Sequence, residues 1–489
     1  MPEVFTILCI AIPLGAIPLI IIFGNHPNLR ESISLFSSAA MCVAASLVVS
    51  EVLSGGSPTV IFWEIIPNLP LFLKVEPIGA LFCLVSSFLW IVSSLYSLGY
   101  MRANNEQNQT RFFAYFSAAL GCSAGIAFSG NILTLFLFYE ALTLSTYPLV
   151  THSGTPEAQR SGRIYLGILL TTSIMLLLLA MLWTWIEIGS LDFIKGGILS
   201  GKVSDGTAAV LLILFIFGVG KAAIMPFHRW LPAAMVAPAP VSALLHAVAV
   251  VKAGVFTILK LTFYIFGFDT ITESASGSWL IYVAGFTIIA ASLVALREDN
   301  LKLRLAYSTI GQLSYIVLAA SLANAQAFSA GAFHIAAHAF GKITLFFCAG
   351  AIYTAMGKTK VSELRGIGRS MPITMTAFII GSLVMIGLPP TAGFVTKWNL
   401  INGALNADNW FAISVIIIGT ILTTSYLAPI IILGLKSESH QKNSSKISTY
   451  SEAPLTMLLA IVITSIISIT MFIYPDWATA LSELATEGQ

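Results

Sequence analysis

The stretch Val210-Leu211-Leu212-Ile213-Leu214-Phe215-Ile216-Phe217-Gly218-Val219-Gly220-Lys221-Ala222-Ala223-Ile224-Met225-Pro226 reads as a membrane helix with a charge inside it and a break at its end. A charged side chain at the bilayer centre costs at least about 2.5–3.5 kcal/mol, so such residues are rarely idle and commonly mark an ion or proton path. Lys252, Lys260, Lys342 and Lys397 lie in apolar stretches of the same kind. The whole chain agrees: of 489 residues 57% are apolar and 9% charged, where soluble domains carry roughly 25% charged residues. The net charge of +2 gives no reason to expect a nucleic-acid partner. Five cysteines (Cys9, Cys42, Cys83, Cys122, Cys348) are scattered without a CxxC spacing. They read as small core hydrophobes, not as a disulfide framework or a metal site.

Working outward, apolar runs long enough to cross about 30 Å of hydrocarbon recur along the chain. They predict an all-α integral membrane protein, a single polytopic domain over 1–489. About fourteen transmembrane helices are expected, at 4–23, 33–52, 75–98, 112–129, 131–150, 163–188, 207–225, 240–264, 278–296, 304–323, 328–355, 372–400, 409–433 and 453–474. No Lys or Arg precedes Arg30, so the first run reads as a helix and not as a cleaved signal. Placing the N-terminus outside puts sixteen of the 24 Lys and Arg in inner loops. Only Lys74, Lys195 and Lys202 then fall outside, as the positive-inside rule requires. Both termini are therefore expected on the outer side, with an acidic tail after the last helix. The largest polar loop is Lys436–Glu452.

Two segments look interrupted. The seventh runs into Met225-Pro226-Phe227 and Trp230-Leu231-Pro232, and the twelfth holds Gly387-Leu388-Pro389-Pro390 and Gly393. Proline removes a helical donor and leaves a carbonyl unpaired, which in lipid is tolerable only beside protein or water. Gly/Pro-interrupted helices in corresponding positions point to inverted repeats with a site between them. The expected repeats are helices 4–8 (about 112–264) and 9–13 (about 278–433), each with one lysine on its broken helix: Lys221 and Lys397.

Glu140 is the one acid placed at mid-membrane depth. Facing a lysine it can ionise, since unit charges about 7 Å apart attract by roughly 2–3 kcal/mol at an effective dielectric near 20. A lysine exchanges protons near neutrality only if burial lowers its ordinary pKa of about 10.4. An element that moved Glu140 relative to Lys221 would therefore load and release a proton; a static ion pair is the alternative. His334, His338 and Lys342 fall at i, i+4 and i+8, along one face of a helix with about 3.6 residues per turn. A proton relay, packed core histidines and a metal site all use that pattern, but neither HExxH nor a nearby carboxylate or cysteine supports metal. His246 and Lys252 are six apart and should face different partners. Lys260, near the outer end of its helix, is expected to snorkel to water. Gly218-Val219-Gly220-Lys221 is not a phosphate loop, because Phe215 and Ala222 stand where glycine and Ser/Thr belong. No ligand set for flavin, haem or an iron–sulfur cluster is present in the sequence, and no cofactor is expected.

Several stretches together resemble a known family. They are Lys221-Ala222-Ala223-Ile224-Met225-Pro226-Phe227-His228-Arg229-Trp230-Leu231-Pro232, the run from Ala237-Pro238-Ala239-Pro240-Val241-Ser242 through His246 to Lys252-Ala253-Gly254, Ala306-Tyr307-Ser308-Thr309-Ile310-Gly311-Gln312, and His338-Ala339-Phe340-Gly341-Lys342. They are similar to signatures of the antiporter-like subunits of respiratory complex I, Mrp-type cation/proton antiporters and membrane-bound hydrogenases, over helices four to thirteen. The resemblance implies a fourteen-helix fold with two inverted five-helix repeats and a charged axis across the midplane. By its pattern Glu140 tunes Lys221; Lys252, His246, His334, His338 and Lys342 form the central relay, and Lys397 ends it.

Within that family Lys397 and the early end of the chain, without a long lateral helix, favour the D-type subunit of an Mrp antiporter. The Pro240–Gly254 stretch instead resembles the largest complex I subunit, and Ala233 stands where relatives often have aspartate. The expected function is proton translocation within a multisubunit Na+(cation)/H+ antiporter. The alternative is a proton-pumping membrane-arm subunit of a complex I-like oxidoreductase or hydrogenase. Either way the chain is expected to be a transporter subunit and not itself an enzyme, in a bacterial or archaeal cell membrane. Its partners would be other membrane subunits, lipid, protons and sodium.

Overall fold

A computed structural model describes residues 2–67, 69–273, 277–436 and 451–487. The apolar runs form α1 (Pro2–Ile22), α2 (Pro27–Leu53), α3 (Pro77–Ala103), α4 (Gln109–Ala127), α5 (Ile132–Val150), α6 (Pro156–Ile188), α7 (Asp205–Gly218) and α8 (Ala239–Phe266). There follow α9 (Ser278–Arg297), α10 (Leu301–Ser321), α11 (Ala325–Met356), α12 (Pro372–Ile386), α13 (Ala392–Asn406), α14 (Trp410–Leu435), α15 (Leu455–Ile473) and α16 (Asp476–Thr486). Each of the fourteen expected segments coincides with a helix, whole or interrupted. Among the described residues ten helices are long and apolar enough to cross a membrane by length and composition. The polar loop expected at Lys436–Glu452 lies largely outside the described residues; its last residue, Glu452, caps α12 through Ile373 N–H at 2.7 Å.

Burial orders the bundle. The most apolar windows of α8 and α11 are wholly buried, whereas that of α1 is 33% buried, so α8 and α11 run through the middle of the protein. Lys252 and Lys260 lie on α8 and Lys342 on α11, and α11 packs against α3, α10, α12, α13 and α15. On the face that holds the N-terminus, an antiparallel hairpin pairs β1 (Thr59–Ile66) with β2 (Leu69–Lys74), in register Thr59 with Lys74 and Ile61 with Phe72. It adds two short strands to the helical fold. It is tied to the α4–α5 corner by Lys74 N–H to the Phe128 carbonyl at 2.7 Å and Gly130 N–H to the Phe72 carbonyl at 3.1 Å. The expected acidic tail is the amphipathic helix α16, packed on α3 and α11 with Ser329 Oγ donating to the Ser482 carbonyl at 3.2 Å.

Both proline-marked segments are broken. α12 stops at Gly387, whose φ of +85° suits glycine alone among common residues. In an intact helix the carbonyls of Met385 and Ile386 would accept from residues 389 and 390. Both are prolines and have no N–H. Gln312 Nε2 on α10 takes the Met385 carbonyl at 3.1 Å, and Lys397 Nζ takes that of Ile386 at 2.9 Å. At the first break, past α7, the Gly220 carbonyl accepts from Trp230 Nε1 at 2.9 Å, and the Lys221 N–H donates to Tyr139 Oη at 3.1 Å. α8 approaches so closely here that a Cβ on Gly254 would lie 2.4 Å from the carbonyl carbon of Lys221.

Replacing Gln312 by leucine leaves the Met385 carbonyl without its donor in a buried site, a loss of about 1–3 kcal/mol. A lower thermal midpoint of the purified protein in detergent is expected. An unchanged midpoint would show that the break does not depend on the amide.

Candidate functional site

The lysines of the two breaks meet similar surroundings. Lys221 is fully buried; its Nζ donates to the Tyr139 carbonyl at 2.8 Å and to Thr143 Oγ1 at 2.5 Å, and lies 3.1 Å from the centre of the Tyr139 ring. Lys397 Nζ donates to the Ile386 carbonyl and to Thr420 Oγ1, both at 2.9 Å, and sits 4.9 Å from the centre of the Tyr315 ring. Each ammonium thus has a carbonyl, a threonine hydroxyl and the negative face of a tyrosine ring, all of them neutral.

Between the breaks run α8 and α11. Lys252 Nζ on α8 and His338 Nδ1 on α11 are 2.6 Å apart, both buried. Two nitrogen bases at that distance share one proton, whichever holds it. One turn along α11, the His334 and His338 ring centres are 5.9 Å apart. His334 Nδ1 lies 2.9 Å from Thr396 Oγ1, which itself donates to the Gly393 carbonyl at 2.8 Å. The threonine proton is committed, so His334 donates from Nδ1 and its free lone pair is on Nε2. That links α11 to α13, the helix carrying Lys397. The third member of the line, Lys342, turns instead to α10 and donates to Ser308 Oγ at 2.8 Å, where Tyr426 Oη of α14 donates at 2.9 Å. His246 lies in a π turn of α8, Leu244–Val248, with its ring 4.7 Å from that of Phe346.

The expected placements divide as follows. Lys252, His334 and His338 are brought together, and His246 and Lys252 do face different partners. Glu140 is half-buried on α5, next to the residue whose carbonyl holds Lys221. It acts on Lys221 electrostatically, but among the described residues no ion pair joins them, and its Oε1 is buried without a hydrogen-bond partner. Lys260 does not snorkel. It is fully buried, with Nζ 2.9 Å from Glu76 Oε2 and donating to the Ser129 carbonyl at 2.5 Å. The Glu76 carboxylate and the Ser129 carbonyl between α4 and α5 replace the water it was expected to reach.

Buried polar atoms without a partner are few in folded proteins and each asks for an explanation. Here several gather along this line: Glu140 Oε1, both ring nitrogens of His246, Nε2 of His334 and of His338, Gln312 Oε1 and Tyr315 Oη. The sequence reading missed Tyr139, Thr143, Tyr315, Thr396 and Thr420, which hold these ammonium and imidazole groups. Thr143 and Thr396 stand within one turn of Glu140 and Lys397, the only trace they leave in the sequence.

Residues 129–423 match the family model described as NADH:quinone oxidoreductase/Mrp antiporter, TM. The chain is 30% identical over 415 residues to NADH-quinone oxidoreductase subunit N of Desulforudis audaxviator, covering 82% of this chain and 79% of the relative. It is 32% identical over 355 residues to NAD(P)H-quinone oxidoreductase chain 5 of a Synechocystis strain, covering 69% of this chain but only 51% of that longer relative. The fold is similar to a chain of the membrane-bound sulfane sulfur reductase, an archaeal respiratory membrane complex, at TM-score 0.86 and 24% identity over 99% of this chain and 98% of the other. It is also similar to a chain of the Mrp complex from Dietzia, at TM-score 0.84 and 21% identity, over 99% and 96%. The chain is therefore a multi-pass membrane protein that belongs to the NADH:quinone oxidoreductase/Mrp antiporter transmembrane family.

Proposed function

We propose that this chain is the proton-translocating subunit of a multisubunit cation/proton antiporter, moving protons along Lys221, Lys252, His338, His334 and Lys397. The observation that carries the proposal is the Lys252–His338 pair, a proton shared by two buried bases between two lysine-bearing breaks. Glu140 sits at the Lys221 end, near enough to bias its charge and too far to lock it in an ion pair. Lys342 and His246 flank the pair, and both act electrostatically on His338. Water molecules bridging the unpartnered nitrogens would complete the wire. Lysines and histidines suit protons; hard cations call for about six to eight oxygen ligands. The matching surroundings of Lys221 and Lys397 support two inverted repeats, 4–8 and 9–13. Positive-inside bias supports an outer location for the hairpin face and both termini, in a bacterial or archaeal cell membrane.

A second reading, supported by the curated relatives and the sulfane sulfur reductase likeness, has the same axis driven by a redox partner in a complex I-like assembly. In both readings the chain works among other membrane subunits and is not itself the catalyst of a redox step.

The test is ΔpH formation in inverted vesicles carrying the complete complex. Lys221→Ala should lower proton movement about tenfold or more, roughly 1.4 kcal/mol or above in barrier, with the complex still assembled. Sodium-dependent movement without a reductant supports antiport; movement only on adding a reductant supports the redox pump. Wild-type flux in the variant removes Lys221 from the path.

His338→Gln keeps a polar side chain but cannot pass a proton between its two ring positions. An assembled complex with flux reduced by about tenfold is the expected result, and Lys252→Met should be no worse when combined with it. Independent, multiplying losses in the double variant would show that the two residues do not act as one unit.

A further inference from the structure

The Glu76–Lys260 pair lies outside the line between the breaks, and its geometry gives it a use. Glu76 is the N-cap residue of α3, where a carboxylate ordinarily accepts from the helix's first N–H groups, yet its side chain makes no such bond. It is turned inward to Lys260, with Glu76 4% and Lys260 0% exposed. Directly above lies a cavity of about 550 Å³ on the face that holds the N-terminus and the hairpin. Its lining includes Ser57, Lys74, Glu76, Lys195, Tyr264 and Glu487, so the buried carboxylate forms part of the wall. Tyr264 Oη is buried there without a partner. On the other side, Lys260 follows Lys252 by eight residues on α8, about 12 Å of helix and roughly 80° of rotation.

We propose that Glu76 and Lys260 are the proton-exchange site between the buried axis and the water on this face. The proposal rests on the proton-translocation reading above. The step is a transfer from the Lys260 ammonium to Glu76 Oε2. An N–H bond breaks and an O–H bond forms, leaving a neutral amine and a neutral acid. Glu76 then gives the proton to water in the cavity, and the amine takes its next proton from the Lys252 side. Lys74, Lys195 and Glu487 are the other charged groups of the cavity wall.

Two measurements on the complete complex test this. First, unaltered complex in sealed vesicles is treated with a water-soluble carbodiimide and an impermeant amine, and the carboxyls modified are read by peptide mass spectrometry. Modification of Glu76 from the hairpin face, with flux falling in step, is expected. Glu76 unmodified while Glu487 reacts overturns the proposal, and this result needs no variant to fold. Second, Glu76→Gln preserves shape and can still accept from Lys260, but cannot take up a proton. Flux should fall about tenfold or more in an assembled complex, with Glu76→Asp recovering part of it. Wild-type flux in Glu76→Gln means the pair only fastens α3 to α8, and the proposal fails. Lys221→Ala separates the two readings. If it abolishes flux while Glu76→Gln does not, only this site is wrong; if Lys221→Ala is silent, the axis itself is wrong.

Discussion

The bond from the Lys397 ammonium to the Ile386 carbonyl shows the constraint on which this structure depends. At membrane depth no water pairs a freed backbone group, so a helix can be broken only where something else pairs its carbonyls. Pro389 and Pro390 free two of them, and Gln312 and Lys397 take one each. At the other break, Trp230 Nε1 donates to the Gly220 carbonyl and Tyr139 Oη accepts from the Lys221 N–H. At the Lys397 break the freed carbonyl and the buried charge are thus one feature. Pro390 cannot donate to the Ile386 carbonyl, and the Lys397 ammonium takes that place.

The choice of neutral partners matters as much as their number. An ammonium taken out of water must recover several kcal/mol, and a carboxylate in contact is the strongest single way to do so. That solution appears once among the five membrane lysines, at Lys260. The other four are held by carbonyls, hydroxyls, an imidazole or tyrosine rings. A contact carboxylate holds an ammonium more tightly than a carbonyl or hydroxyl does, and unlike them it can itself take up the proton. Neutral acceptors solvate the ammonium without opposing its deprotonation so strongly, and they leave Glu140 to act from a distance.

How much of this the sequence disclosed follows from what each feature needs. Long apolar runs placed the membrane helices, though not the amphipathic α16, because a bilayer demands about 20 apolar residues wherever the chain crosses. Prolines located both breaks, since a missing N–H is a property of the residue itself. The i, i+4 spacing placed His334 beside His338. What pairs across helices was not legible: nothing in the spacing of Lys252 and His338 says that α8 and α11 are neighbours. The same blindness sent Lys260 to water, because Glu76 is 184 positions away and read only as the start of a helix. The hairpin at 59–74 was passed over for a related reason: its apolar residues alternate too weakly, with bulges, to stand out among longer apolar runs.

The two breaks resemble each other but are not wired alike, and the difference bears on direction. Lys397 takes a carbonyl from its own break, so the segment that positions the lysine also supplies its partner. Lys221 takes both carbonyl and hydroxyl from α5, the helix that carries Glu140. A displacement of α5 therefore changes the partners of Lys221 and its distance from Glu140 together, while Lys397 keeps its Ile386 carbonyl. Movement of one neighbouring helix changes both hydrogen-bond partners of Lys221, whereas at Lys397 movement of α14 changes the Thr420 hydroxyl alone. A coupling partner that acts on α5 would act at Lys221 first.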